Sequence, residues 1–143
     1  MTKKFREVVI FILLKKEQVL VEKRLKDELE ILSGQLLFPG GGVDNLENLE
    51  EALIRELKEE LGIKPLNIIP IHTVENIYGL KKDVVLKPFI IEEWEGEIPS
   101  QVIDQKDPLI WVNLEIMLNS EIASTKHMAK LVKKHLEKKY DPR

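Results

Sequence analysis

The stretch 40-GGGVDNLENLEEALIRELKEELGI-63 decides how the rest of the chain is read. Three glycines lead into a segment with six glutamates between Glu47 and Glu60. Leu49, Leu53 and Leu57 recur every fourth residue, which at about 100° per residue draws one apolar stripe and predicts an amphipathic helix. Gly62, with Pro65 just beyond, marks its stop. Measured around the wheel from Leu53, Glu60 falls at about −20°, Glu56 at about −60° and Glu59 at about −120°. Three carboxylates therefore share one side, two of them at the border of the face that must be buried.

This arrangement is costly by itself. Glutamates in the last turn of a helix oppose its macrodipole, at roughly 0.3–1 kcal/mol each where exposed. Two carboxylates about 5 Å apart at an effective dielectric of 20 repel by roughly 3 kcal/mol before screening. A hard divalent cation removes both penalties, and Mg²⁺ is usually held by one or two carboxylates together with substrate phosphates and water. An acidic helix alone is more often a solvated face, and a glycine run alone is often a plain turn. Here the two are joined at fixed spacing, with Pro39 stiffening the entry. The glycines are expected to allow positive φ and a close backbone approach to a ligand.

Residue by residue, the stretch reads Gly41, five residues, Glu47, seven residues, Arg55-Glu56-Leu57, one residue, Glu59-Glu60, one residue, Gly62-Ile63. This resembles the complete Nudix box, G-x5-E-x7-R-E-U-x-E-E-x-G-U with U a bulky aliphatic, and none of its fixed positions departs. From average residue usage, a chance match in a chain this long is rarer than about one in a million. The resemblance, to MutT-type Nudix hydrolases in particular, implies an α/β fold: an α/β/α sandwich with a mixed sheet and a loop-helix-loop catalytic motif. It implies Glu59 and Glu60 as metal ligands, Glu56 as a further ligand or as the base that activates water, and Gly40 completing the metal shell through its carbonyl. Glu47 and Arg55 are implied to pair and brace the helix. The cofactor so implied is Mg²⁺, with Mn²⁺ as the alternative. The reaction is hydrolysis of a diphosphate linkage, above all of a nucleoside triphosphate to monophosphate and pyrophosphate, with oxidised or otherwise modified nucleotides among the substrates considered. Dinucleoside polyphosphates and nucleotide sugars share the chemistry and differ in the pocket. A non-catalytic nucleotide-binding module is the rival from another class, and such modules usually lose box residues. A Nudix-fold isoprenyl diphosphate isomerase would need a catalytic cysteine, which the chain lacks.

The bounds agree with one domain over residues 1–143. That length buries about two-thirds of the unfolded surface, and 43% hydrophobic residues suffice for a core. Lys plus Arg number 22 against 25 Asp plus Glu, a net charge of −3, which argues against an extended nucleic-acid surface and for a small phosphorylated ligand. Without cysteine there is no disulfide framework, thiol nucleophile or zinc-thiolate site. The longest apolar run near the N-terminus, 8–14, is too short to span a bilayer and is followed by no cleavage-site pattern. No membrane association and a cytoplasmic location are expected, and a homodimer is left open.

Along the chain, 8–14 reads as a strand buried on both faces, and 19–24 as a second strand forming a hairpin with it. Segment 25–34 reads as either a helical turn or a loop. A short strand at 35–38 delivers the glycines. After the helix, 67–77 and 83–94 read as two strands joined by a turn around Tyr78-Gly79, 109–112 as another short strand, and 124–139 as an amphipathic helix opening on a cap-type Ser124. Three positions are candidates for substrate contact by resemblance: Arg24 at a strand end, Phe38 before the glycines, and Ser124 where an asparagine is expected. The alternatives are a solvated arginine, a core phenylalanine and a helix cap. MutT-type enzymes also carry a glutamate in the loop before a tryptophan-bearing strand. Gln105 stands at that spacing from Trp111, flanked by Asp104 and Asp107; Asp104 is named as the metal candidate, against the alternative of a solvated loop acid. His72, His127 and His135 show no ligand spacing and receive no role.

Overall fold

A computed structural model describes residues 5–25, 34–73, 75–81 and 83–139. Most of the ambiguous segment 25–34 lies outside the described residues. The first strand, β1 (Arg6–Lys15), is continuous and buried from Val9 to Leu14. It alternates between two layers: Val9, Phe11 and Leu13 join one core, Ile10, Ile12 and Leu14 the other. A run with no polar side is what a strand covered on both faces requires.

β1 turns through Lys16 and Glu17 into β2 (Gln18–Lys23), pairing antiparallel at Leu14↔Val19 and Lys15↔Gln18. The two strands then separate. β2 goes on to pair with β3 (Leu36–Leu37), while the first half of β1 pairs with β4 (Gly40–Gly42). This split opens a gap in the sheet beside the glycines.

The glycine run is thus a strand in register with Val8–Ile10, with none of its φ angles positive, which corrects the expected glycine loop with its positive φ. Close approach is the reason Gly40 and Gly41 lack side chains. A Cβ on Gly41 would lie 2.5 Å from Glu56 Oε1 and closer still to the carboxyl carbon, and one on Gly40 would collide with the Val9 carbonyl.

The acidic segment forms helix α1 (Leu49–Leu61), capped at its start by a capping box of Asn48 and Glu51 and at its end by Gly62 in the left-handed conformation, φ 67°. Ala52, Leu53, Leu57 and Leu61 are buried against Val9, Phe11 and Leu13. Truncating one such leucine to alanine costs about 2–5 kcal/mol.

Past α1 the chain makes β5 (Lys64–Pro65), β6 (Ile69–Pro70), β7 (Ile77–Tyr78), β8 (Val84–Ile91) and β9 (Trp94–Glu95). The strand expected over 67–77 is two short pieces, each pairing with β8. Pro70 ends the first, since it has no N–H to donate. The strand expected over 83–94 likewise breaks at Glu92 and Glu93, whose amides donate to Asn67 Oδ1. β8 runs parallel to β1 along its full length, β9 pairs with β5, and β10 (Leu109–Asn113) closes on β2. Among the described residues the main sheet is mixed, ordered β10-β2-β1-β8-β6.

Asn113 caps the short helix α2 (Leu114–Leu118), which no sequence signal had separated from its surroundings. The last helix, α3 (Ala123–Lys139), packs Met128, Ala129 and Val132 on the sheet face opposite α1. The layers are α/β/α. Ser124 lies inside α3, so it is no cap; the Ile122 amide is instead satisfied by the Ser120 hydroxyl.

Candidate active site

Arg55 organises the loop and the acidic helix together. A guanidinium has five N–H donors, and here all five find acceptors. Nε and Nη2 fork onto Glu47 at 2.7 and 2.8 Å. Nη1 donates to Glu56 at 2.9 Å and Glu59 at 3.1 Å. Nη2 also reaches the Gly42 carbonyl at 2.9 Å. The Glu47–Arg55 pair expected from the resemblance is formed. Glu47 takes a further hydrogen bond from the Asp44 amide at 2.9 Å. The Arg55 fork first and that amide second hold the Glu47 carboxyl down from 4.5 to about 2, and Glu47 in turn pushes Arg55 up.

The three helix carboxylates differ in environment. Glu56 is buried against Gly41; burial raises it and Arg55 opposes the rise. Glu59 is exposed. Glu60 is pushed from 4.5 up to about 7, by burial first and then by the charges of Glu56, Asp104, Glu22 and Glu59. Asp104 comes close because the Ile103 amide donates to the Glu60 carbonyl at 3.0 Å. Its side chain remains exposed.

On the other face of β4 lies a cavity of about 480 Å³, lined by Arg24, Phe38, Gly40 and Ser124 among others, a size within the range of small-molecule sites. All three candidate substrate contacts therefore converge on one space. Phe38 is 4% exposed and belongs to the core while forming part of the wall. None of the α1 carboxylates lines the cavity; Gly40 does, and its neighbour Gly41 touches Glu56. The glycine strand is the partition between the acidic cluster and the cavity.

Two buried carboxylates were missed in the sequence. Glu22 is 3% exposed and Asp107 6%. Arg24 Nε lies 3.1 Å from Glu22 Oε1 and 3.9 Å from Asp107 Oδ2. A signal for Glu22 was present: in Val19-Leu20-Val21-Glu22 the period of two sets it on the same face as the buried Leu20.

Among the described residues no three Asp, Glu, His or Cys side chains form a ready metal cage, and Arg55 Nη1 sits between Glu56 and Glu59. The donor set still fits a hard divalent cation. Its atoms are carboxylate oxygens, and Glu60 feels the charges of Glu56, Asp104, Glu22 and Glu59. Mg²⁺ commonly takes one or two carboxylates and completes its shell from phosphate and water, so no preformed cage is needed.

The NUDIX domain profile matches residues 3–134. The 8-oxo-dGTP diphosphatase of Buchnera aphidicola subsp. Schizaphis graminum is 35% identical over 98 residues, covering 68% of this chain and 72% of that protein. The 8-oxo-dGTP diphosphatase of Escherichia coli K12 is 30% identical over 95 residues, covering 66% and 71%. The crystal structure of a MutT NUDIX hydrolase from Burkholderia pseudomallei superposes with a TM-score of 0.73 at 24% identity, covering 90% of this chain and 98% of that one. That last likeness is one of fold.

Proposed function

The chain belongs to the NUDIX domain family, and on that premise we propose that it is a MutT-type pyrophosphohydrolase that cuts a nucleoside triphosphate to monophosphate and pyrophosphate. The observation that carries this reading is the face of α1, where Arg55 fixes Glu56 and Glu59 while burial and neighbouring acids push the Glu60 carboxyl up, one glycine strand away from a ligand-sized cavity. The curated relatives support the substrate class, since they are named for a nucleotide.

Glu56, Glu59 and Glu60, with the Gly40 carbonyl, are the groups that would hold Mg²⁺, or Mn²⁺ in its place. Asp104 is the reserve ligand from the loop. When bound, such an ion supplies charge neutralisation on the phosphoryl oxygens and a lowered pKa for water. The chain's own residues do the rest. Arg55 keeps the loop and helix in one geometry through Glu47, Glu56, Glu59 and Gly42. Glu56, raised by burial, is suited to accept a proton from the attacking water. Arg24, Phe38 and Ser124 would position the nucleoside in the cavity, so that the phosphates pass the glycine strand toward α1. Positioning of this kind can supply much of the rate of phosphoryl transfer. A cytoplasmic location is proposed with it; among the described residues no helix is long and apolar enough to cross a membrane. The net charge of −3 suits a single nucleotide over an extended nucleic acid.

The test is a panel: ordinary and oxidised nucleoside triphosphates, dinucleoside polyphosphates and nucleotide sugars, each with Mg²⁺ and with chelator. Metal-dependent pyrophosphate release from triphosphates is expected. Cleavage confined to the other two classes would move the assignment within the family, and no cleavage anywhere would favour a binding module.

A further inference from the structure

Asp107 stands immediately before Pro108 and β10 and was weighed from sequence, with Asp104, between an acid that reaches the metal and a solvated loop acid. The structure buries it to 6% exposure in the cavity wall. A buried carboxylate is costly unless hydrogen-bonded or paired, and this one is held from two sides. Oδ1 accepts from the Leu25 amide at 3.3 Å, and Oδ2 lies 3.9 Å from Arg24 Nε, which itself bonds Glu22. Among the described residues, one guanidinium at the cavity wall thus reaches both carboxylates. A carboxylate offers about four lone-pair sites, more than those contacts use.

We propose that Asp107 is the specificity-determining residue of the cavity: its carboxylate accepts a hydrogen bond from an exocyclic amino group of the bound nucleobase, so that amino-bearing bases are preferred over counterparts that lack the group. This rests on the nucleotide reading above. A carbonyl edge turned to Asp107 would meet a fixed negative charge and leave two buried acceptors facing each other. An amino edge donates to it. A site built around such a bond discriminates strongly, because the analogue without the donor leaves a buried acceptor lone pair of the carboxylate unfilled. Arg24 acts here as a positioning residue, since Glu22 and Asp107 already engage its charge and fix where the carboxylate stands. The competing reading makes Asp107 a brace for Leu25 and Arg24 that never meets the ligand. That brace would change affinity for all nucleotides alike, whereas an acceptor changes the ratio between them.

The experiment is competition calorimetry on the full chain, without metal, using GMP against IMP, which lacks the 2-amino group, and CMP against UMP, which carries a carbonyl in place of the 4-amino group. Wild type is expected to favour the amino member of whichever pair it binds by roughly 10- to 100-fold, and Asp107→Asn to reduce that ratio to about threefold or less. A wild-type ratio near one overturns the proposal even if the variant does not fold, and so does a ratio that Asp107→Asn preserves. An Asp107-dependent preference in a protein that cleaves no triphosphate would sink the hydrolase reading and leave this inference standing. Cleavage without any preference would do the reverse.

Discussion

Replacing Gly41 with alanine adds one methyl group to the strand that backs the catalytic helix. The new Cβ would lie 2.5 Å from Glu56 Oε1 and closer to the rest of the carboxyl, against ordinary contact distances of about 3.5 Å. The backbone cannot yield easily, because Gly41 pairs with Val9 in the sheet. The carboxylate must therefore move by about 1 Å or more, away from the Arg55 Nη1 that holds it at 2.9 Å. Overpacking of this kind costs about 1–3 kcal/mol of stability. A 1 Å misplacement of a catalytic group costs about 100-fold in rate. We expect Gly41→Ala to stay folded and to lose about two orders of magnitude in kcat. The matched control is Gly42→Ala, whose Cβ would meet only the Arg6 guanidinium, at 3.4 Å; its turnover should stay within about threefold of wild type and its stability within about 0.5 kcal/mol. The assay is Mg²⁺-dependent pyrophosphate release at saturating nucleotide, with thermal unfolding alongside. Near-normal turnover in Gly41→Ala, or an equal loss in Gly42→Ala, would refute the idea that this strand sets the position of Glu56.

Glu60→Gln should abolish most turnover and yet stabilise the metal-free protein at high pH. Its carboxyl is raised from 4.5 to about 7, so between those values the folded state holds more protons than the unfolded state and stability falls as pH rises. The full shift corresponds to about 3 kcal/mol, and screening at this half-exposed site reduces it to about 1 kcal/mol. The expected gain is a few degrees in Tm at pH 8 and none near pH 4, read by calorimetry in chelator. Glu47→Gln weakens the Arg55 fork without touching the cavity, so kcat should fall by about tenfold while KM stays within twofold. Because Glu47 is held down to about 2, the fork's contribution is lost only as pH falls below the ordinary carboxylate range and through that value; an activity loss already complete at pH 5 would have another cause. Gly62→Ala has room for its Cβ, with only Ile103 Cδ1 near at 3.5 Å. The cost is therefore that of a left-handed residue with a side chain, about 1 kcal/mol or more, measured by denaturant unfolding.

The acidic helix was legible because both its signals are local: leucines at a spacing of four, and the Gly62 stop. The unbroken apolar run of β1 likewise announced a strand covered on both faces. What failed to show depended on partners distant in sequence. Glycines at 40–42 look like a turn in isolation, and only the Val9 carbonyl and the Glu56 carboxylate, brought in by the sheet and the helix, explain why the strand lacks side chains at Gly40 and Gly41. The strand expected over 67–77 was broken by Pro70, a signal present in the sequence and outweighed by the β-branched residues around it. Asp107 read as a solvated loop acid because its burial comes from Arg24 and Leu25, which the sheet brings to it. The roles of Arg24, Phe38 and Ser124 could be suspected one by one, while their meeting in a single cavity required the split between β1 and β2.

If the crowded carboxylates on α1 take up a divalent cation with the nucleotide, Glu60 reports it directly. Site-resolved carboxyl NMR should show Glu60 titrating at about 7 in chelator. With Mg²⁺ and a non-hydrolysable nucleotide, the same resonance should remain ionised down to at least pH 5. A titration that is unmoved by the ion and the nucleotide would contradict the claim.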